Sequence, residues 1–191
     1  MLNKRELLLG GAAALVLAQP GLANAHHTAK YKNFKLDPQY APQRVFFSMN
    51  YAPGTIVVDP RNHFLYLMER WGRARRYGVG VGKAGLAFRG KATIDRKAEW
   101  PRWTPTRNMI RREPQKYARY ADGVPGGINN PLGARALYLY KNGRDTYYRI
   151  HGTTQPRSIG RSVSNGCIRM INDHVVDLYN RVPLGTQVVV L

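Results

Sequence analysis

The chain has 191 residues, with 30 Lys+Arg against 11 Asp+Glu and a formal net charge of +19. That length supports one domain with a single sizeable core, and the charge narrows the partners to nucleic acid, an anionic membrane surface or an anionic polymer such as a cell wall. A lone cysteine, Cys167, excludes a disulfide framework.

Residues 1–25 read as a secretory signal. Lys4-Arg5 is the charged start, Leu7 to Leu17 the apolar run, and Ala23-Asn24-Ala25 the small-x-small cleavage site. The apolar run is too short to anchor the chain across a bilayer, so no transmembrane anchor is expected after cleavage at Ala25. Export places the protein in the periplasm and argues against nucleic acid, for which the chain also carries no binding motif. Residues 26–54 form an N-terminal arm, whose polar lead from His26 to Gln43 holds Pro38 and Pro42. His26-His27 has no third ligand nearby and reads as a solvated terminus. No metal site or cofactor is expected.

Short strands follow. Val45–Phe47 is the first, then Thr55–Val58 and Phe64–Met68 around the turn Asp59-Pro60-Arg61-Asn62. His63, at the edge of that turn, takes a structural role. After Trp71-Gly72, Ala74–Val81 forms another strand. This spacing favours an all-β sandwich or barrel over βαβ units.

Gly80-Val81-Gly82-Lys83-Ala84-Gly85 matches the dinucleotide fingerprint letter for letter. That motif works only where it opens a helix whose N-terminus meets the pyrophosphate. Leu86 to Ile94 is instead strand-like, so nucleotide binding is rejected. In residues 96–131, Thr106 caps a short helix over Arg107–Glu113, which Pro114 ends. Gly123–Pro131 is a loop. The region is either a binding or lid element, or a surface loop whose tryptophans cover one end of the core.

Asn142-Gly143 between Ala136–Tyr140 and Thr146–Ile150 is a hairpin signal. Its second strand delivers His151. Asn172 or Asp173 caps a helix with Val175, Val176, Tyr179 and Val182 on one side and His174 facing solvent. Pro183-Leu184-Gly185 stops it, and Gln187–Leu191 is a last strand.

The chemistry concentrates in His151-Gly152-Thr153 and Ser164-Asn165-Gly166-Cys167-Ile168-Arg169-Met170. An unpaired thiol in an exported protein is inert and buried, used between chains, or reactive. A cysteine nucleophile needs a base and a group to orient that base. The glycines here, including Gly152 and Gly166, supply sharp turns and admit a substrate close to the backbone. The stretch reads as a catalytic cysteine site.

Those two motifs resemble the signature of the L,D-transpeptidases with a YkuD-type catalytic domain, and the similarity runs over residues 55–191. It takes in Asn130-Pro131-Leu132-Gly133-Ala134-Arg135-Ala136-Leu137. The resemblance implies a mainly β, single β-sandwich-like catalytic domain with a few short helices, one after Cys167. It also implies a peptidoglycan L,D-transpeptidase. Cys167 takes the acyl group of a stem peptide as a thioester, releases D-alanine, and passes the acyl group to an amine of another stem or of an outer-membrane protein.

On physical grounds His151 then deprotonates the thiol, and its imidazolium stabilises the thiolate. Backbone N–H groups of Gly166 and Cys167 bind the oxyanion. Arg169 either holds a stem carboxylate, lowers the thiol pKa, or makes a structural ion pair. Ser164 hydrogen-bonds within the loop. Many relatives carry histidine directly before Gly-Cys, and this chain has Asn165, which leaves His151 as the nearby base. The alternatives are an L,D-carboxypeptidase that passes the same acyl group to water, and a non-catalytic cell-wall-binding protein.

Overall fold

The computed structural model describes residues 34–48 and 50–191; the expected secretory signal lies outside them. The fold is mainly β, as expected. A 3₁₀ turn over Pro38–Tyr40, capped by Asp37, leads into β1 (Gln43–Phe46). The second half of the arm is therefore ordered and supplies an edge of the sheet. β2 (Ile56–Asp59), β3 (Phe64–Met68) and β4 (Arg73–Gly78) form a meander. Its first turn is fixed by the Asp59 carboxylate, which accepts from the Arg61 and Asn62 amides at 3.0 and 3.2 Å.

β5 (Val81–Gly82) is short and β6 (Gly90–Glu99) is long. Between β6 and β7 (Arg135–Lys141) come the helices α1 (Arg107–Arg112) and α2 (Pro114–Tyr117). The Thr106 hydroxyl caps α1 by accepting from the Met109 amide at 3.2 Å, as the sequence predicts. Pro114 does end α1, but it also opens α2, where its missing N–H costs nothing.

β7 and β8 (Arg144–His151) form the expected hairpin around Asn142-Gly143. After β8 come β9 (Ser162–Ser164), β10 (Ile168–Arg169), α3 (Asn172–Arg181) and β11 (Gln187–Val190). The main sheet runs β1-β4-β3-β2-β11-β6-β7-β8-β10, and β5 and β9 make a small parallel pair. The β11–β2 and β10–β8 pairs are parallel.

The larger core joins most of the sheet to α3: Ile56, Leu65, Tyr77, Ile94, Leu137 and Ile150 from six strands meet Val175 and Leu178, while Val57, Met68 and Ala74 form a smaller cluster with Val45 of β1. The sheet also curls. Gly80, two residues beyond β4, exchanges hydrogen bonds of 2.9 and 2.7 Å with Arg169 of β10 at the opposite end. β10 is therefore held on both sides although it is only two residues long.

Two expectations about α3 change. Its N-cap is Ile171, with no side-chain cap bond, because the Asn172 amide is used elsewhere. His174 is half-buried, its ring 6.4 Å from that of Tyr77, rather than facing solvent. Among the described residues no helix is long and apolar enough to cross a membrane.

Leu137, fully buried between β6 and β8, tests how strongly this core carries the fold. Leu137→Ala is expected to cost about 2–5 kcal/mol, from lost burial plus the cavity left behind. Chemical denaturation of the purified variant measures it, and a loss under about 1 kcal/mol would contradict a core that carries the fold.

Candidate active site

Parallel pairing of β8 and β10 builds the site. Ile168 lies opposite Ile150 and Arg169 opposite His151, and the Met170 amide donates to the His151 carbonyl at 2.8 Å. Cys167 directly precedes β10, so its thiol meets the strand that ends in the imidazole. All seven residues singled out in the sequence, from Gly152 and His151 to Arg169, fall at the end of β8, the end of β9, the turn after it and β10.

His151 is buried, with 5 % of its surface exposed. Its Nδ1 lies 2.5 Å from the Gly152 carbonyl oxygen. A carbonyl only accepts, so Nδ1 carries the hydrogen and Nε2 of the neutral ring keeps its lone pair. Burial, helped by the charges of Arg169 and Arg149, drives the ring pKa down to about 3. The carbonyls of Gly152 and Leu132 oppose that shift.

The Cys167 thiol is directed at the Tyr147 carbonyl oxygen, 3.8 Å away. Burial of the sulfur pushes its pKa up, against the Arg149 amide and the charges of Arg149 and Arg169. Burial thus favours the neutral form of both the thiol and the imidazole. Desolvation opposes the thiolate–imidazolium pair that proton transfer to His151 would create.

The turn before Cys167 is braced internally. The Ser164 hydroxyl donates to the Cys167 carbonyl at 2.6 Å and accepts the Gly166 amide at 3.1 Å. The loop bonds expected for Ser164 are made. The Gly166 N–H, expected as one of two oxyanion donors, is engaged by this hydroxyl in the structure. Asn165 Nδ2 donates to the Tyr117 hydroxyl at 2.9 Å. Arg169 donates to Gln155 Oε1 at 2.9 Å, and burial holds its pKa below the usual arginine range.

The glycines of the rejected nucleotide motif acquire a purpose. A Cβ on Gly82 would stand 2.8 Å from the Gly166 Cα, so the bare backbone there lets the cysteine turn pass. No helix follows; Leu86 closes a turn onto Lys83 and the chain enters β6.

Three residues have contacts at the site that the sequence did not show. Asn172 Oδ1 accepts the amides of Ala134 and Thr153, both at 3.1 Å. It thereby ties the entry of β7 to the turn that holds the Gly152 carbonyl. A Cβ on Gly152 would sit 2.1 Å from that oxygen, so only glycine fits. Arg149 makes a two-pronged pair with Asp145, at 2.7 and 2.8 Å, beside the sulfur. Tyr147 adopts φ 62°, a strained conformation for an aromatic residue, and its carbonyl is the one that meets the thiol. The Asp145–Arg149 spacing was a usable signal only with the strand irregularity between Tyr138 and Tyr140 already known.

Residues 53–190 match the YkuD family, the L,D-transpeptidase catalytic domain. The chain belongs to this family. It is 34 % identical over 152 residues to the Escherichia coli "Probable L,D-transpeptidase ErfK/SrfK", covering 78 % of this chain and 47 % of that protein. This L,D-transpeptidase family chain thus spans about half the length of that relative. A Fuscovulum blasticum protein, named as an L,D-transpeptidase in the ATP synthase subunits region, is 35 % identical over 100 % of this chain and 98 % of its own.

Among solved structures, a Brucella melitensis protein described as a probable carnitine operon oxidoreductase is 58 % identical. It covers 88 % of this chain and 99 % of its own, with a TM-score of 0.56. An L,D-transpeptidase from Mycobacterium smegmatis shares the fold at 19 % identity and a TM-score of 0.51, over 72 % of this chain and 58 % of its own.

The depressed imidazole pKa sets a pH dependence of stability. Between about pH 6.5 and about pH 3 the unfolded state binds a proton at His151 that the native state refuses. Stability therefore falls as pH drops through that window. Thermal unfolding of wild type and His151→Gln across it should converge toward acid, as the variant lacks this penalty. Parallel curves would contradict a neutral, buried imidazole.

Proposed function

We propose that this protein is a peptidoglycan L,D-transpeptidase that works through a Cys167 thioester. The observation that carries the reading is the parallel register bringing Cys167 alongside the strand that ends in His151. Family membership supports the reaction type. His151 Nε2 takes the thiol proton as Sγ attacks the carbonyl carbon at the L-centre of the stem's third residue. The Nδ1–H···O=C bond to Gly152 keeps the ring in the tautomer this step needs.

The Cys167 amide receives the developing oxyanion. As the C–N bond breaks, the imidazolium returns its proton to the departing D-alanine nitrogen, leaving the thioester. An acceptor amine then attacks, gives a proton to His151, and displaces the sulfur. The acceptor is the side-chain amine of a second stem, or an amine of an outer-membrane protein. The strongly basic composition suits a carboxylate-rich wall polymer. The leader-like residues 1–25 support export to the periplasm. A dinucleotide-dependent oxidoreductase is disfavoured, because Gly80–Gly85 opens no helix to receive a pyrophosphate.

Incubation with purified tetrapeptide muropeptides, followed by mass spectrometry, tests the reading. Cross-linked dimers with loss of D-alanine are expected, and none from Cys167→Ala. Tripeptides alone would mean hydrolysis, and unchanged material from wild type would overturn the enzyme assignment. Dimer formation by Cys167→Ala would overturn the nucleophile.

A further inference from the structure

The segment between β6 and β7 has an internal order of its own. Trp103 and Val124 exchange backbone hydrogen bonds of 3.0 and 2.7 Å, which closes the segment at its base. The Trp103 ring packs edge-on against Tyr117, at 6.3 Å, and against Tyr120, at 5.8 Å. Asn130, almost fully buried, donates to the carbonyls of Val124 and Pro125 and fixes the return to β7. Tyr117 is only 8 % exposed, yet its hydroxyl reaches out of this cluster to Asn165 Nδ2, two residues before the nucleophile.

An amide donor on the cysteine turn therefore meets a phenol that belongs to a separately braced aromatic unit. The turn is already held by Ser164 and by the Gly80–Arg169 bridge. It does not need Tyr117 for its own shape, so the contact serves the segment. Asparagine suits this place: its N–H₂ donates at every pH, whereas a neutral histidine donates from one nitrogen only.

We propose that Asn165 is a positioning residue that latches residues 103–124 onto the cysteine turn. The latch makes the Trp103–Tyr117–Tyr120 cluster a wall of the acyl-donor site, one that recognises the stem peptide. The proposal rests on the L,D-transpeptidase reading for its substrate. The wall supplies apolar and aromatic area for the peptide backbone and alkyl carbons, while Arg169 at its foot supplies charge for a carboxylate.

Steady-state kinetics with a tetrapeptide muropeptide donor tests it on wild type, Asn165→Ala, Tyr117→Phe and the double variant, with hydrogen exchange over residues 103–124. Loss of one hydrogen bond is worth about five- to tenfold. We expect KM to rise by about that factor in each single variant, with kcat changed less than about twofold. The double variant should be no worse than either single, since both remove one contact. Exchange over residues 103–124 should speed up in all three, and Asn165→His, which keeps an N–H donor, should restore KM. An unchanged KM, a loss confined to kcat, or additive losses would overturn the latch. If wild type turns over no muropeptide, the functional reading fails, and unchanged exchange in both single variants still decides separately against the latch.

Discussion

The structure depends on the parallel pairing of two strand ends, β8 and β10. Few hydrogen bonds make it, yet it sets the distance and direction between a thiol and an imidazole that are well apart in the chain. Two residues of strand would not hold on their own. β10 is stable because the sheet curls until Gly80 bonds it from the other side, at 2.9 and 2.7 Å. The core that drives the curl is apolar and shared, so burial of residues such as Leu137 and Ile150 is spent on fixing the site. The same logic explains Asn172, whose one oxygen holds the backbone on both sides of Gly152 and so the carbonyl that orients the ring.

Desolvation sets the chemistry of the resting pair. Each pKa unit is about 1.4 kcal/mol of preference between protonation states. Arg169 and Arg149 favour the thiolate, but burial outweighs them at sulfur and reinforces them at the imidazole. Arg149 is largely neutralised by its two bonds to Asp145, which weakens its pull on the thiol. The site is consequently suited to proton transfer coupled to attack, with charge appearing only when a substrate carbonyl is present to receive it. The strained backbone at Tyr147 holds a carbonyl against the thiol.

Local signals in the sequence were readable because their causes are local. Asn142-Gly143 specified a hairpin and Thr106 a cap, each from neighbours a few residues away. The features that escaped depend on chain segments brought together from afar. Asn172 looked like a helix cap because that is what asparagine does before an apolar stripe; its real partners, Ala134 and Thr153, belong to other elements. Gly82 looked like part of a nucleotide loop until the Gly166 backbone was found against it. The bond from the Gly166 amide to Ser164 was hidden for a similar reason, since it depends on that side chain turning back. The undecided region from 96 to 131 meets the site through the hydrogen bond from Asn165 to Tyr117, a contact no spacing rule encodes.

The central claim is that the nucleophile rests as a neutral thiol beside a neutral histidine. The direct measurement is alkylation of Cys167 by iodoacetamide, followed by intact mass from about pH 5 to about pH 10, around the ordinary thiol pKa. The account predicts a rate that stays low through neutrality and is still climbing at the alkaline end. A rate already on a plateau between about pH 5 and about pH 7 would reveal a preformed thiolate–imidazolium pair and would contradict it.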